Sequence, residues 1–244
     1  MTTYFTRREA LWLGLAAGAS SLFGVRMHGV QNLVPAVKAV DHLLLGISDL
    51  DRGIAWVEKV TGVKATIGGS HPGVGTRNAL LSLGGRQYLE IIAPDPAQAS
   101  FNSRNDVRKL AEPRLIAWAA AASDVEALAK KATADGRKIF GPRDGSRARP
   151  DGKVLRWKTL AIIHDFGVEI DPVPFFIEWA PDSLHPSQDS APGCTLRSFA
   201  IESPEASRLG DTLEGLGIAA NVTPASSLRL TAVLDTPQGT VTLT

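Results

Sequence analysis

Val40-Asp41-His42-Leu43-Leu44-Leu45-Gly46-Ile47-Ser48-Asp49-Leu50-Asp51 is the stretch on which the fold turns. Val40 to Ile47 is an apolar run of strand character, and alternation puts Val40, His42, Leu44 and Gly46 on one face. Ser48-Asp49-Leu50-Asp51 then opens a helix. Ser48 and Asp51 predict a capping box, Leu50, Ile54, Val57 and Val60 recur at helical spacing, and Gly62 supplies the stop. Further along the chain the same construction returns twice. Leu115 to Ala122 leads into Ser123 and Glu126, a stripe of Val125, Leu128, Ala129 and Ala132, and a closing Gly136. Leu196 to Glu202 leads into Ser203, Pro204 at the first helical position, Leu209, Leu213, Leu216 and Gly217. Capping serine and terminating glycine stand 14, 13 and 14 residues apart in the three places, which predicts helices near 49–61, 124–135 and 204–216.

Strand-like pieces follow each helix. The first set is 64–68, 77–83 and 86–92, with Gly84-Gly85 as a tight turn between the last two. The second is 138–140, 154–163 and 173–179 around a long polar loop, and the third is 220–223, 228–234 and 239–243. The expected class is therefore α+β, built from βαβββ modules in three copies. Residues 37–181 carry two of them and 194–244 a third, with 94–113 and 181–193, rich in Pro, Ser, Asn and Asp, as linkers. A ferredoxin-like α+β repeat would fit the same element counts. A third module must either extend a sheet or pair across a homodimer interface.

Composition narrows the function. With 44% hydrophobic and 21% charged residues the chain has material for a core, which excludes disorder as its main state. Lys+Arg 26 against Asp+Glu 25 gives +1, so no global field draws it to nucleic acid, and a small molecule or a protein is the expected partner. The lone Cys194 reads as a buried thiol. Thr6-Arg7-Arg8-Glu9-Ala10-Leu11, followed by an apolar Gly/Ala-rich run to Val25, resembles a twin-arginine export signal, with Ala10 where that pattern more often has Phe. The resemblance implies a signal over 1–36, cut at Val34-Pro35-Ala36, and a periplasmic or secreted product. The apolar run is short of the ~20 residues needed to span a bilayer, so no permanent membrane anchor is expected.

Four segments, Val40 to Leu45, His71-Pro72-Gly73-Val74-Gly75-Thr76-Arg77-Asn78, Tyr88-Leu89-Glu90-Ile91-Ile92 and Pro174 to Trp179, together resemble the glyoxalase-like branch of the vicinal oxygen chelate superfamily. That resemblance implies paired βαβββ modules curved around a cleft, with metal ligands on the first and fourth strands. Here those strands hold His42 and Glu90, a pair suited to a divalent Fe, Mn, Ni or Zn ion, and to catalysis with or without metal. Ala117 and Arg197 occupy the His42 position in the other copies, so two or three protein ligands are the most expected, Glu178 being the candidate third. His71, Thr76 and Asn78 are expected to bind substrate at the cleft mouth, or else to belong to a stiff hairpin connection. The basic residues between Arg143 and Lys158 read first as a solvated loop and second as an attractor of carboxylate or phosphate. Phe175, Phe176 and Trp179 read as core or pocket wall, and Trp118 as packing under its helix. Three uses follow: a metal-assisted lyase, isomerase or dioxygenase-like enzyme acting on a small oxygenated metabolite, a non-catalytic protein that sequesters a ligand in the same cleft, or an interaction module. His42 with Glu90 favours the first, Ala117 the second, and the odd number of repeats the third.

Overall fold

The computed structural model describes residues 32–148, 152–167 and 169–244. In chain order the elements are β1 (Val34–Pro35), α1 (Ala36–Ala39), β2 (Val40–Gly46), α2 (Leu50–Thr61), β3 (Thr66–His71), β4 (Thr76–Ser82) and β5 (Tyr88–Pro94). They continue with β6 (Arg114–Ala121), α3 (Val125–Ala134), β7 (Ile139–Ala148), β8 (Val154–Ile162) and β9 (Phe175–Trp179). The last are β10 (Thr195–Ser203), α4 (Ala206–Gly215), β11 (Ile218–Ala219), β12 (Asn221–Pro224), β13 (Arg229–Thr236) and β14 (Gly239–Leu243). The three helices lie where their stripes predict them. The caps of α2 and α3 sit one residue later than expected, because carboxylates take the role: Asp49 accepts from the Arg52 N–H and Asp124 from the Ala127 N–H, whereas α4 starts after Glu205, two residues past Ser203 and one past Pro204, with no side-chain cap. An ionised acceptor answers both the unpaired amides and the positive end of the helix dipole, which a serine hydroxyl answers only in part. Gly62 closes α2 in the left-handed region, at φ 76°.

Strands β3 to β9 and β2 form one eight-stranded sheet in the order β3-β4-β5-β2-β6-β9-β8-β7. Each half pairs its first strand parallel with its last, β2 with β5 and β6 with β9, and the halves join through the antiparallel β2–β6 pair. The sheet curls until its two edges meet, so that a Cβ on Gly69 of β3 would lie 3.1 Å from the Ala148 carbonyl of β7. The polar loop expected after Phe140 is instead strand as far as Ala148, paired with β8; Gly145 makes this possible, since a Cβ there would meet the Trp157 indole at 2.3 Å. Period two divides β2 from His42 onward, whereas Val40, expected on the face of His42, is buried in the main core because the register shifts between the two. Leu43 and Leu45 are fully buried in the main core, while His42 and Leu44 line the cleft enclosed by the curl.

The expectation of three equivalent copies is corrected by the C-terminal strands. They form a separate sheet in the order β12-β10-β13-β14, with β10 parallel to β12 and antiparallel to β13. The chain order of strands and helix is the same as in the first two modules, but the first strand no longer pairs with the last. Spacing and periodicity specify each element, whereas the choice of strand partner is a long-range matter that local sequence leaves open. This sheet covers the outer face of the large one. Trp118 packs its ring 5.0 Å from that of Phe199 on β10 and donates to the Pro172 carbonyl, so it is buried against the C-terminal sheet and not simply beneath α3.

Most of the expected export segment, Arg7 and Arg8 included, lies outside the described residues. Its last residues are described. Val34 and Pro35 pair parallel with Ile218 and Ala219, and Ala36 is buried in the core, so the fold begins ahead of the expected cut. Among the described residues no helix is long and apolar enough to cross a membrane.

Candidate functional site

The cleft holds a cavity of about 170 Å3 on the inner face of the curled sheet. Parallel pairing sets His42 beside Tyr88 and Leu44 beside Glu90, which makes His42 and Glu90 diagonal neighbours on one face. The His42 Nε2 lies 3.4 Å from Glu90 Oε2. From the other side His71, the last residue of β3, brings its Nε2 to 3.4 Å from Glu90 Oε1. Both oxygens of one buried carboxylate thus face an imidazole nitrogen. Asn78, diagonal to Glu90 across β4 and β5, donates its amide to Glu90 Oε1 at 2.5 Å. Thr76 holds the remaining nitrogen of His71 through Oγ1 at 2.9 Å. The structure therefore brings His42, His71, Thr76, Asn78 and Glu90 into one cluster.

Glu178 is not part of it. It alternates with Ile177 and Trp179, which line the cleft, and turns to the opposite face, where its carboxylate accepts from the Val125 N–H at the start of α3. The proposed third ligand is a helix cap, and period two along β9 is the reason.

Several site residues are not apparent from the sequence. Asp41 follows Val40 and would by alternation point away from the cleft, but the β2–β6 register slips between Val40 and His42 and leaves Asp41 as the extra residue of a bulge. Its Oδ1 lies 2.7 Å from His42 Nδ1, and its Oδ2 accepts from Trp179 Nε1 and His185 Nε2, each at 3.1 Å. His185, fully buried, comes from the segment expected to be a linker, and its other nitrogen contacts Ser187 Oγ at 2.8 Å. Arg147, from the basic hairpin, turns inward and donates to Asn78 Oδ1. The one signal available for any of these was the Asp41-His42 dipeptide. The ring of His42 stacks on Tyr88 at 4.5 Å and meets Phe175 edge-on at 5.5 Å, while Trp157, Phe175, Ile177 and Trp179 form the apolar wall.

Charge in this cluster follows from its partners. Burial opposes ionisation of Asp41, yet the hydrogen bonds from His185 and His42 outweigh it and hold the carboxyl at about 2. An ionised carboxylate only accepts, so His42 donates from Nδ1 to Asp41, and Nε2 is the nitrogen that faces the cleft and Glu90. Glu90 is likewise held below its ordinary value: burial would raise it, but the two imidazoles, the Asn78 amide and the Arg147 charge prevail. Burial pushes His71 down, Glu90 opposing and Arg147 assisting, which favours a neutral ring. The donor set, two imidazole nitrogens and one carboxylate with each imidazole oriented by a partner on its other nitrogen, fits a divalent first-row ion in kind. Among the described residues no three His, Cys, Asp or Glu side chains already stand as a metal cage, and the Asn78 amide nitrogen lies against both Glu90 and, at 3.3 Å, His71 Nε2.

No curated protein matches the sequence. Among solved structures, a hypothetical protein from Staphylococcus aureus superposes with a TM-score of 0.61 at 17% identity, covering 78% of this chain and 87% of that one, a likeness of fold alone. Methylmalonyl-CoA epimerase from Mycobacterium tuberculosis gives 0.43 at 19% identity over 64% of this chain and 95% of its own. A family model described as glyoxalase-like domain matches residues 40–217, a span that runs from the first strand of the curled sheet through the cleft residues to the end of α4. The chain belongs to the glyoxalase-like domain family.

Proposed function

We propose that this protein is a metal-assisted enzyme acting on a small oxygenated metabolite, with His42, His71 and Glu90 as the protein ligands. The observation that carries the reading is the pair of imidazole nitrogens facing the two oxygens of one buried carboxylate, each ring fixed from behind by Asp41 or Thr76. A divalent ion held there supplies a Lewis acid for adjacent substrate oxygens and for the negative charge that develops on them. The chain's own residues do the rest. Asp41 keeps Nε2 of His42 directed into the cleft, Arg147, held by the Asn78 side-chain oxygen, presents N–H groups to a substrate oxygen, and Tyr88, Trp157, Phe175 and Trp179 exclude water.

One feature supports a second reading without metal. Arg147 already places a fixed cation beside the cluster, so Glu90 and His42 would serve as an acid/base pair on a substrate polarised by the guanidinium. Metal analysis of the full chain, purified without chelator or metal-affinity tag, separates the two. About one equivalent of a divalent first-row ion is expected, lost in His42→Ala and Glu90→Gln. Retention of metal in both variants, or a protein that neither contains nor is thermally stabilised by such an ion, would overturn the metal reading in favour of the acid/base pair.

A further inference from the structure

Among the described Lys and Arg residues between Arg143 and Lys158, Arg147 is the one that lines the cleft, and it is only 5% exposed. Burying a guanidinium is costly unless its N–H groups find acceptors. Asn78 takes one of five, and the same amide stands between the guanidinium and Glu90. The fold makes specific room for this cation. Gly68 is the extra residue of a bulge in the β3–β4 ladder, and a Cβ there would come within 2.2 Å of Asn78 Oδ1 and 2.6 Å of Arg147 Nη1. The opposite wall is aromatic and apolar, and the cavity between them is about 170 Å3.

We propose that the ligand of this cleft is a short organic monoanion, a three- or four-carbon carboxylic acid, whose carboxylate sits on Arg147 and the Asn78 side while its carbon chain lies against Phe175, Trp157 and Trp179. Guanidinium and carboxylate match as a planar fork, in a way an ammonium does not. Phosphate fits less well. Its second negative charge would stand close to the Glu90 carboxylate in a poorly solvated cleft, where like charges repel strongly. A compact carbon chain is enough to reach from Arg147 to the aromatic wall of a cavity this size. The inference rests on the cleft being the ligand site, and does not depend on a bound metal.

The test is calorimetric titration of the full chain after removal of metal by EDTA and dialysis. The probes are lactate and pyruvate, their uncharged amides lactamide and pyruvamide, and inorganic phosphate. The acids are expected to bind at least tenfold more tightly than the amides and than phosphate. Arg147→Met should weaken acid binding at least tenfold with little change for the amides, and Arg147→Lys should fall between. Equal affinity for acid and amide, tighter binding of phosphate, absence of acid binding, or undiminished binding in a folded Arg147→Met protein would each overturn the proposal. If Arg147→Met does not fold, the acid-to-amide ratio in the unaltered protein decides alone. Because the protein is metal-free, a failed metal analysis leaves this result unaffected.

Discussion

Asp41→Asn tests the hydrogen-bonded network behind the cluster. The carboxylate accepts from His42, His185 and Trp179, and an amide can present only one oxygen to them. The arrangement that satisfies most donors turns the amide oxygen toward His185 and Trp179 and its NH2 toward His42. His42 Nδ1 must then accept, which moves the ring proton to Nε2 and points a donor into the cleft. The stability cost can be estimated from the carboxyl itself. Its depression from 3.8 to about 2, at about 1.4 kcal/mol per pH unit, corresponds to about 2 kcal/mol. For a chain of this length that lowers Tm by about 4–8 °C. The sign follows from the depressed value. The contribution is fully present above about pH 4, is lost as pH falls through about 2, and so the gap between the native protein and the variant should close over that window. Thermal melts between pH 2 and 7 measure the gap, and 15N NMR of the imidazole reads the tautomer. Metal affinity, on the proposed function, should fall about 10–100-fold. An unchanged tautomer together with a pH-independent stability difference would refute the reasoning.

Three further outcomes are expected. Gly68→Ala should displace the Asn78–Arg147 pair, costing about 1–3 kcal/mol of stability and reducing ligand binding measured by calorimetry, since its Cβ falls within 2.2 Å of Asn78 Oδ1. Glu178→Gln should cost about 1 kcal/mol in denaturant melts through the weakened start of α3, while metal content and ligand affinity stay at the native level; a loss of either would return Glu178 to the site. Replacing Arg7 and Arg8 together by Lys should hold the protein in the cytoplasm on cell fractionation, and unchanged export would sink the signal assignment.

What the sequence determined by itself was the kind and place of each element, and part of the cleft. Leu50, Ile54 and Val57 at helical spacing specify α2, and alternation along β2 sends His42 and Leu44 to one face and Leu43 and Leu45 to the other, because both periods are properties of the local backbone. The fourth-strand Glu90 could be paired with His42 through the family resemblance. The tertiary structure decided the rest. Glu178 was assigned to the site by its residue type and removed from it by the phase of β9. Asp41 enters only because a bulge shifts register opposite β6, and a bulge has no signature in an apolar strand. His185 reaches Asp41 across 144 positions and Arg147 reaches Asn78 across 69. The C-terminal strands repeat the spacing of the first two modules and still choose other partners. Spacing is set by neighbours in the chain, whereas strand partners and buried charge networks are set by which distant surfaces can exclude water together, and only the assembled fold determines that.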